Sequence, residues 1–340
     1  MKKVLLTGAS GNVGYQTLKQ LVSKKDIELT VFDIKTSRSK KLFKPYRHKI
    51  NIVYGNITNY RDIEPAVKGQ NYIIHLAAII PPLADDNPSL AQAVNVKGTE
   101  NILKAAKRLA PKAFFMYSSS VSVYGDRIKN PYINVSDPLK PSLGDEYAVT
   151  KLSAEALIRA SKLNWTIFRL SAIMWNDNHK ISKLMFHMPL DTFVEITTPA
   201  DTARAFVNAI GHEKMLSHKI FNLGGGERCR TTYRTMLETV FNIVGLKKLD
   251  FPKYAFATTN FHCGYYADGD QLEQILHFRK QTLQDFYNAY RKETSPFMKK
   301  TTSLLSFLIK RKLLKHSEPY EAYREKDQIL LQRFFGISRI

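Results

Sequence analysis

Short apolar runs alternate with stretches of helical periodicity along the first half of the chain. The first run, Val4 to Thr7, breaks into a loop with glycines at Gly8, Gly11 and Gly14, and a helical pattern follows from Asn12 to Ser23. Glu28–Asp33, Ile50–Tyr54, Asn71–Leu76, Lys112–Ser118 and Trp165–Leu170 read as further strands, and Asn59–Val67, Asn87–Leu109 and Gly144–Leu163 as helices. Asn71–Leu76 (NYIIHL) is a continuous apolar run, the pattern of a parallel strand buried on both faces. Strand and helix alternating in units of roughly 20–30 residues predict an α/β chain, a doubly wound parallel sheet (Rossmann fold) whose ligand crevice lies at the carboxyl ends of the strands.

Beyond Ser171 the regularity weakens. Short strands are expected at Thr192–Ile196 and Lys219–Asn222, and helices at Pro199–Ile210, Thr231–Val244 and Asp270–Tyr290. The expected division is a dinucleotide-binding domain over 1–170, its sheet completed by parts of 192–225. A smaller, interleaved substrate-binding lobe follows over 171–295, then a basic helical extension over 296–340. Within the extension, Ser303–Lys315 (SLLSFLIKRKLLK) reads as one basic amphipathic helix. A packed surface helix is favoured over one lying on an anionic membrane.

A chain that is 44% hydrophobic and 24% charged can bury a core and solvate its surface. No run approaches the ~18 apolar residues of a membrane span, and the first strand begins too early to leave room for a signal peptide, so a cytosolic protein is expected. The two cysteines, Cys229 and Cys263, have no metal-ligand spacing and are expected as reduced thiols, with no metal site. The formal net charge of +21 is spread along the whole chain with no nucleic-acid-binding motif. It suits anionic cofactors and substrates, and no nucleic-acid partner is expected.

The glycine loop joins a strand to a helix, where bare amides bind a pyrophosphate; its spacing is GxxGxxG rather than GxGxxG. Asp33 ends the second strand about twenty residues further on, where a carboxylate meets the adenosine ribose. A carboxylate there repels a 2′-phosphate, so NAD is expected over NADP, although Lys35, Arg38, Lys40 and Lys41 offset that repulsion. Tyr147 and Lys151 fall one turn apart on one helix face, and an ammonium beside a phenol makes proton transfer by tyrosine easier. Ser118, Ser119 and Ser120 end the fifth strand, where a hydroxyl can hold a substrate oxygen beside that phenol.

These pieces together resemble one family. TGASGNVG (Thr7–Gly14), HLAA (His75–Ala78), NVKGT (Asn95–Thr99), SSSVSVYG (Ser118–Gly125) and YAVTK (Tyr147–Lys151), with weaker DTARAF (Asp201–Phe206) and FNLGGGE (Phe221–Glu227), resemble the extended short-chain dehydrogenases/reductases, or NAD-dependent epimerase/dehydratase family. The resemblance implies an NAD(P) cofactor held by Gly8, Ser10, Gly11, Asn12, Val13 and Gly14, by Asp33, Asn56 and Ile57, and by Leu76, Ala77 and Ala78. It implies Tyr147 as acid/base and Lys151 on the nicotinamide ribose. Ser120 would orient the reacting oxygen, with Ser119 as the alternative, and Asn95 would support the site. A homodimer is implied as well.

Three departures from the family pattern matter, the first for the cofactor and the others for substrate. Asn56 replaces an Asp that contacts adenine. The Asn that nucleotide-sugar epimerases place after the sixth strand is missing, since Leu170, Ser171 and Ala172 follow Arg169. Their Arg-Asp-Tyr approach is also missing near Phe193–Thr198. The first expectation is therefore an NAD(P)-dependent oxidoreductase acting on a carbonyl or alcohol of a small or medium substrate. The rivals are a nucleotide-sugar epimerase or dehydratase, and a dinucleotide sensor without catalysis. Pocket walls are expected from Ile80–Asp86, Pro131–Tyr147, Ala172–Pro189 and Phe256–Tyr266, and Arg228 and Arg230 are candidates for an anionic group.

Overall fold

A computed structural model describes residues 1–175 and 183–337. Among the described residues, a seven-stranded parallel sheet is built from β1 (Lys2–Thr7), β2 (Ile27–Asp33), β3 (Asn51–Tyr54), β4 (Tyr72–His75), β5 (Phe114–Ser120), β7 (Asn164–Leu170) and β10 (Lys219–Leu223). Their order is β10-β7-β5-β4-β1-β2-β3. The expected doubly wound sheet is therefore present. Strand side chains alternate between faces, so Val4 and Leu6 enter one buried layer with Leu18, Phe168 and Phe206, while Leu5 enters the other with Ile63, Ile73, Ile102 and Phe115. Both faces are covered by helices, which is why these strands read as unbroken apolar runs.

Two small sheets stand beside it. β8 (Ala172–Ile173), β9 (Phe193–Thr197) and β11 (Arg230–Thr232) form one, and β6 (Tyr132–Ile133) pairs with β12 (Tyr265–Tyr266) in the other. Of the region 192–225, only Lys219–Leu223 joins the large sheet; the strand near 193 does not. The Pro199–Asn208 helix packs back on the Asn12–Val22 helix, so the chain returns to the first layer before the second lobe is complete.

Three predicted helices are interrupted, each for a local reason. Asn87–Leu109 contains a π-helical turn over Gln92–Lys97, which turns Asn95 inward. Asp270–Tyr290 splits at His277, whose φ of 47° ends the Asp270–Leu276 helix. There the Glu273 carboxylate collects the amides of Phe278 and Arg279, and Thr282 caps a new helix, Leu283–Glu293. The predicted Ser303–Lys315 helix is two, Pro296–Leu304 and Ser306–Leu314, with a corner at Leu305. The second turns so that Leu313, with Ile309 and Leu314, enters the core of the smaller lobe beside Phe241, Phe256 and Phe286.

A buried hydrogen-bond chain ties the loops that follow β1 and β4 to the π-turn. The Ala77 amide donates to Thr7 Oγ1 (3.2 Å), which lies 2.8 Å from His75 Nδ1; His75 Nε2 lies 2.9 Å from Thr99 Oγ1, which donates to the Asn95 carbonyl (2.6 Å). Each hydroxyl has one proton, so donor counting places the imidazole proton on Nε2 and leaves Nδ1 to accept from Thr7. A second proton on the ring would set Nδ1–H against the Thr7 hydroxyl. Burial, with the Lys151 charge adding to it, lowers the His75 pKa to about 3. The unfolded chain takes up this proton near pH 6.5 while the folded one refuses it, so His75 costs stability as pH falls from about 6.5 toward 3. Urea unfolding should show wild type losing roughly 2 kcal/mol more than a His75→Gln variant between pH 7.5 and 5. Parallel pH dependences would contradict this.

Candidate functional site

The glycine loop is held by contacts that tolerate no side chain. Gly8 turns with φ +72°, and a Cβ there would lie 2.6 Å from the Ala77 amide nitrogen; on Gly14 it would lie 2.0 Å from the Gly8 carbonyl oxygen. The first helix is thereby drawn against the strand it leaves. Its N-cap is Gly11, with no side-chain cap, so the leading amides of the Asn12–Val22 helix are left for an anion.

Asp33 is buried at the end of β2. It accepts from the Ser10 amide (2.7 Å) and hydroxyl (3.0 Å) and from the Ile34 amide (2.8 Å). Burial pushes its carboxyl above the usual range, against the pull of these bonds. Arg38 Nε donates to the Ser10 carbonyl (3.3 Å), on the loop whose amide and hydroxyl Asp33 holds. Asn56 is exposed and caps its own turn by accepting from the Thr58 amide, while Ile57 is buried beneath it against Gly98. Leu76, Ala77 and Ala78 are half-buried along the exit of β4. This cradle, with glycines where backbone approaches backbone and uncapped amides at its base, fits a dinucleotide.

Across the crevice, the Glu146–Ala160 helix carries Tyr147 and Lys151. Lys151 is a fully enclosed lysine: its Nζ donates to the Ser118 carbonyl (2.7 Å) and sits 4.7 Å from the Tyr117 ring centre and 5.5 Å from that of Tyr147. Burial lowers its pKa to about 7, with Glu155 pulling the other way. Burial also holds the Tyr147 phenol well above 10, reinforced by the Asp145 charge and opposed by a hydrogen bond with Ser120. The phenol therefore rests protonated, and Ser120 is its partner. Ser119 is committed elsewhere, donating to Glu155 Oε1 at 2.6 Å. Asn95 does not face the crevice as a reacting group. Its side chain bonds the amide (2.8 Å) and carbonyl (2.9 Å) of Ile79 and the Thr150 hydroxyl (3.0 Å), locking the β4 exit to the helix of Tyr147.

Ser120 and Tyr147 line one end of a cavity of about 700 Å³. That end also carries Asp85, Asp145, His262 and Arg333; His262 Nδ1 lies 2.9 Å from Asp145 Oδ2. Asp85, beside Asp145, has its carboxyl pushed up by burial and then by that neighbouring charge. The remaining wall is mostly apolar, with Met174, Met185, Met188, Met236, Phe241 and Phe286 among its residues and His187, Ser171 and Asn260 as polar exceptions. Flexible thioethers adapt to irregular apolar shapes. All four expected wall segments contribute, although residues 176–182 of the third lie outside the described residues.

Sequence reasoning missed several parts. The Tyr233–Val244 helix forms an apolar wall whose pattern reads only as core, and the terminal extension supplies Arg333 and Phe334. Arg169 is also unanticipated: it pairs with Glu155 through two bonds (3.0 and 2.8 Å), both side chains buried, and donates to Tyr124, which donates to Asn222. An arginine inside an apolar strand was the available signal. Arg230 is held by buried Glu195 (2.9 Å) and the Tyr266 carbonyl, which removes it as an anion site, and Arg228 is exposed.

Residues 5–169 match the 3-beta hydroxysteroid dehydrogenase/isomerase family. The UDP-glucuronic acid 4-epimerase of Bacillus cereus, solved with UDP-glucuronic acid and NAD, superposes with a TM-score of 0.70 at 20% identity, over 88% of this chain and 99% of that one. The chain has the fold of an extended short-chain dehydrogenase/reductase. Among relatives, 3 beta-hydroxysteroid dehydrogenase type 7 of Mus musculus is 27% identical over 159 residues, 45% of this chain. The match spans only 43% of the mouse protein. The 3 beta-hydroxysteroid dehydrogenase/Delta 5→4-isomerase of Vaccinia virus (strain Western Reserve) is 25% identical over 307 residues, 83% of this chain and 86% of the viral one. The family match thus spans the glycine loop, the β4 exit and the Tyr147 helix.

Because Ser119 satisfies a buried carboxylate, Ser119→Ala should lower stability by about 1.5–3 kcal/mol, measured by urea unfolding at neutral pH. An unchanged midpoint would show that Glu155 does not need the hydroxyl.

Proposed function

We propose that this chain is an NAD-dependent oxidoreductase that interconverts a secondary alcohol and a ketone on a bulky apolar substrate of hydroxysteroid type. The observation that carries this reading is the cavity: its carboxylates and Arg333 stand near Ser120 and Tyr147, and most of the remaining lining is hydrocarbon and thioether, with His187, Ser171 and Asn260 among the few other polar side chains. A volume of about 700 Å³ is within the range for an enclosed small ligand. The resemblance to hydroxysteroid dehydrogenases supports the same class. A nucleotide sugar fits less well, since Asp85 and Asp145 at the cavity's polar end would repel a diphosphate.

NAD supplies the hydride acceptor or donor when bound, held by the Gly8–Gly14 loop and Asp33. Ser120 holds the substrate oxygen beside Tyr147. In the reducing direction the protonated phenol gives its proton to that oxygen, and Lys151 stabilises the phenolate left behind. Asn95 acts through position, keeping the Tyr147 helix against the β4 exit. The resemblance to the extended short-chain family supports a homodimer, which light scattering checks; a cytosolic location is expected, and localisation of the tagged chain checks it.

The decisive assay follows NADH absorbance with the full chain against 3-hydroxy- and 3-ketosteroids on one side and UDP- and dTDP-sugars on the other. Turnover of steroids alone is expected; turnover confined to nucleotide sugars overturns the reading. Tyr147→Phe should lower kcat by roughly 10²–10⁴-fold with the NAD dissociation constant little changed. Full activity in that variant with every substrate found would overturn Tyr147 as the proton carrier.

Lys151 is charged below about pH 7 and neutral above it. Ketone reduction, which draws on that charge, should therefore fall as pH rises through about 7. A permanently charged Lys151→Arg variant should lack the inflection in its kcat/KM profile.

A further inference from the structure

The corner between the Pro296–Leu304 and Ser306–Leu314 helices carries the most exposed apolar cluster of the terminal extension. Leu304 is 84% exposed, Phe307 70% and Phe297 78%, with Leu305 and Leu308 beside them. This segment is not loosely attached. Leu313 is buried and Ile309 and Leu314 are half-buried in the cluster that contains Met236, Phe241 and Phe286, and a Cβ on Gly245 would lie 2.4 Å from the Lys299 carbonyl. The inward face of the second helix is seated in that cluster, yet large side chains of the corner still stand exposed. Isolated exposed apolar residues are ordinary; a contiguous cluster on a well-seated element marks a contact surface.

Charge decides the occupant. Residues 296–315 contain no Asp or Glu, and exposed Lys299 and Lys300 precede the corner while Arg311, Lys312 and Lys315 follow it. The nearby Asp250 is taken up by Lys310, and Lys247 and Lys248 add exposed cations on the adjoining loop. An apolar tip flanked by cations on both sides would repel a second copy presenting the same face. It complements a surface of hydrocarbon under anionic headgroups.

We propose that the Leu304–Leu308 corner docks this protein peripherally on an anionic lipid bilayer, apolar side chains inserted among the acyl chains and the flanking lysines and arginines on the headgroups. Among the described residues no helix is long and apolar enough to cross a membrane, so the attachment is interfacial. The hairpin rests on the Tyr233–Val244 helix, which is also a wall of the cavity. The lipid surface and the apolar cavity therefore lie on two sides of one helix, a short path for a substrate dissolved in the bilayer. Docking itself does not depend on the catalytic reading and is read without activity.

The test is co-sedimentation of the full chain with vesicles of phosphatidylcholine, alone or mixed with phosphatidylserine. Binding to the mixed vesicles is expected to exceed binding to phosphatidylcholine by about tenfold and to weaken with salt, because several cations contribute. Leu304→Glu/Phe307→Glu should remove most of it. Lys299→Glu/Lys300→Glu/Arg311→Glu/Lys312→Glu should abolish the preference for phosphatidylserine. Lys24→Glu/Lys25→Glu, an exposed basic pair elsewhere, should change little. As a second readout that leaves the surface apolar, Phe307→Trp should show blue-shifted fluorescence on adding mixed vesicles. No sedimentation with either vesicle, undiminished binding by Leu304→Glu/Phe307→Glu, or equal loss in Lys24→Glu/Lys25→Glu would overturn the proposal. So would a dimer, seen by light scattering, that Leu304→Glu/Phe307→Glu dissolves in the absence of vesicle binding.

Discussion

The arrangement of this site depends on one neutral imidazole. His75 sits at the end of the central strand β4, accepts from Thr7 at the end of β1 and donates to Thr99 beyond the π-turn. Thr7 in turn holds the Ala77 amide, which also lies where a Cβ on Gly8 would fall. Thr99 holds the carbonyl of Asn95, whose side chain fixes Ile79 and Thr150. Through these bonds the glycine loop, the β4 exit and the helix bearing Tyr147 and Lys151 share one frame. Both threonine hydroxyls donate once and accept once, so the frame has a single direction, set by which ring nitrogen carries the proton. Losing that direction would leave a buried donor facing a buried donor, the costliest outcome for a polar group in a core.

The same enclosure sets the chemistry. Removing water from Lys151 and Tyr147 disfavours the charged form of each, so a lysine approaches neutrality near pH 7 while a phenol keeps its proton. Glu155 is the counterweight. It lies near enough to raise Lys151, yet its own charge is met by Arg169 and Ser119. A buried pair of this kind is weak evidence for stability, because desolvation offsets much of the attraction. Its position next to the proton-carrying residues gives it a second consequence, the tuning of Lys151. The identity of the two serines follows from this: Ser119 points into the ionic network, and Ser120 is left for the phenol.

Much of this was legible in the sequence because it is local. Glycines at close backbone contacts, an acid at a strand end, and a Tyr and Lys one helical turn apart each follow from short-range geometry. The apolar runs gave the sheet because burial on both faces leaves a continuous pattern. What was not legible depends on contacts between distant segments. The π-turn at Gln92–Lys97 exists because Asn95 must reach Ile79 and Thr150, and nothing in the neighbouring sequence announces that. The strand near 193 was apolar enough for the large sheet but pairs elsewhere, and Arg230 looked like an anion ligand until Glu195 was seen beside it. Arg333 and Phe334 reach the cavity from the far end of the chain, where sequence offers only a basic helical pattern.

That closure by the terminal extension bears on substrate more than any single motif does. The shared fold can hold a nucleotide sugar or a hydrocarbon skeleton equally well, since the cofactor cradle and the Tyr147 helix are indifferent to what lies beyond the reacting carbon. The difference is made by what lines the second lobe. Here the Tyr233–Val244 and Leu283–Glu293 helices contribute apolar side chains, and Phe334 packs at a tilt against His187, both lining the cavity (4.9 Å between rings). Lys183 and His187 are bound to Glu318 of the extension, so the wall and the tail are joined by charge as well as by packing. A diphosphate would need an excess of cations pointing inward at this place. Among the described residues Arg333 is the one lysine or arginine lining the cavity, and it shares the polar end with Asp85 and Asp145. Away from that cluster the interior is left mostly to shape and hydrophobic contact.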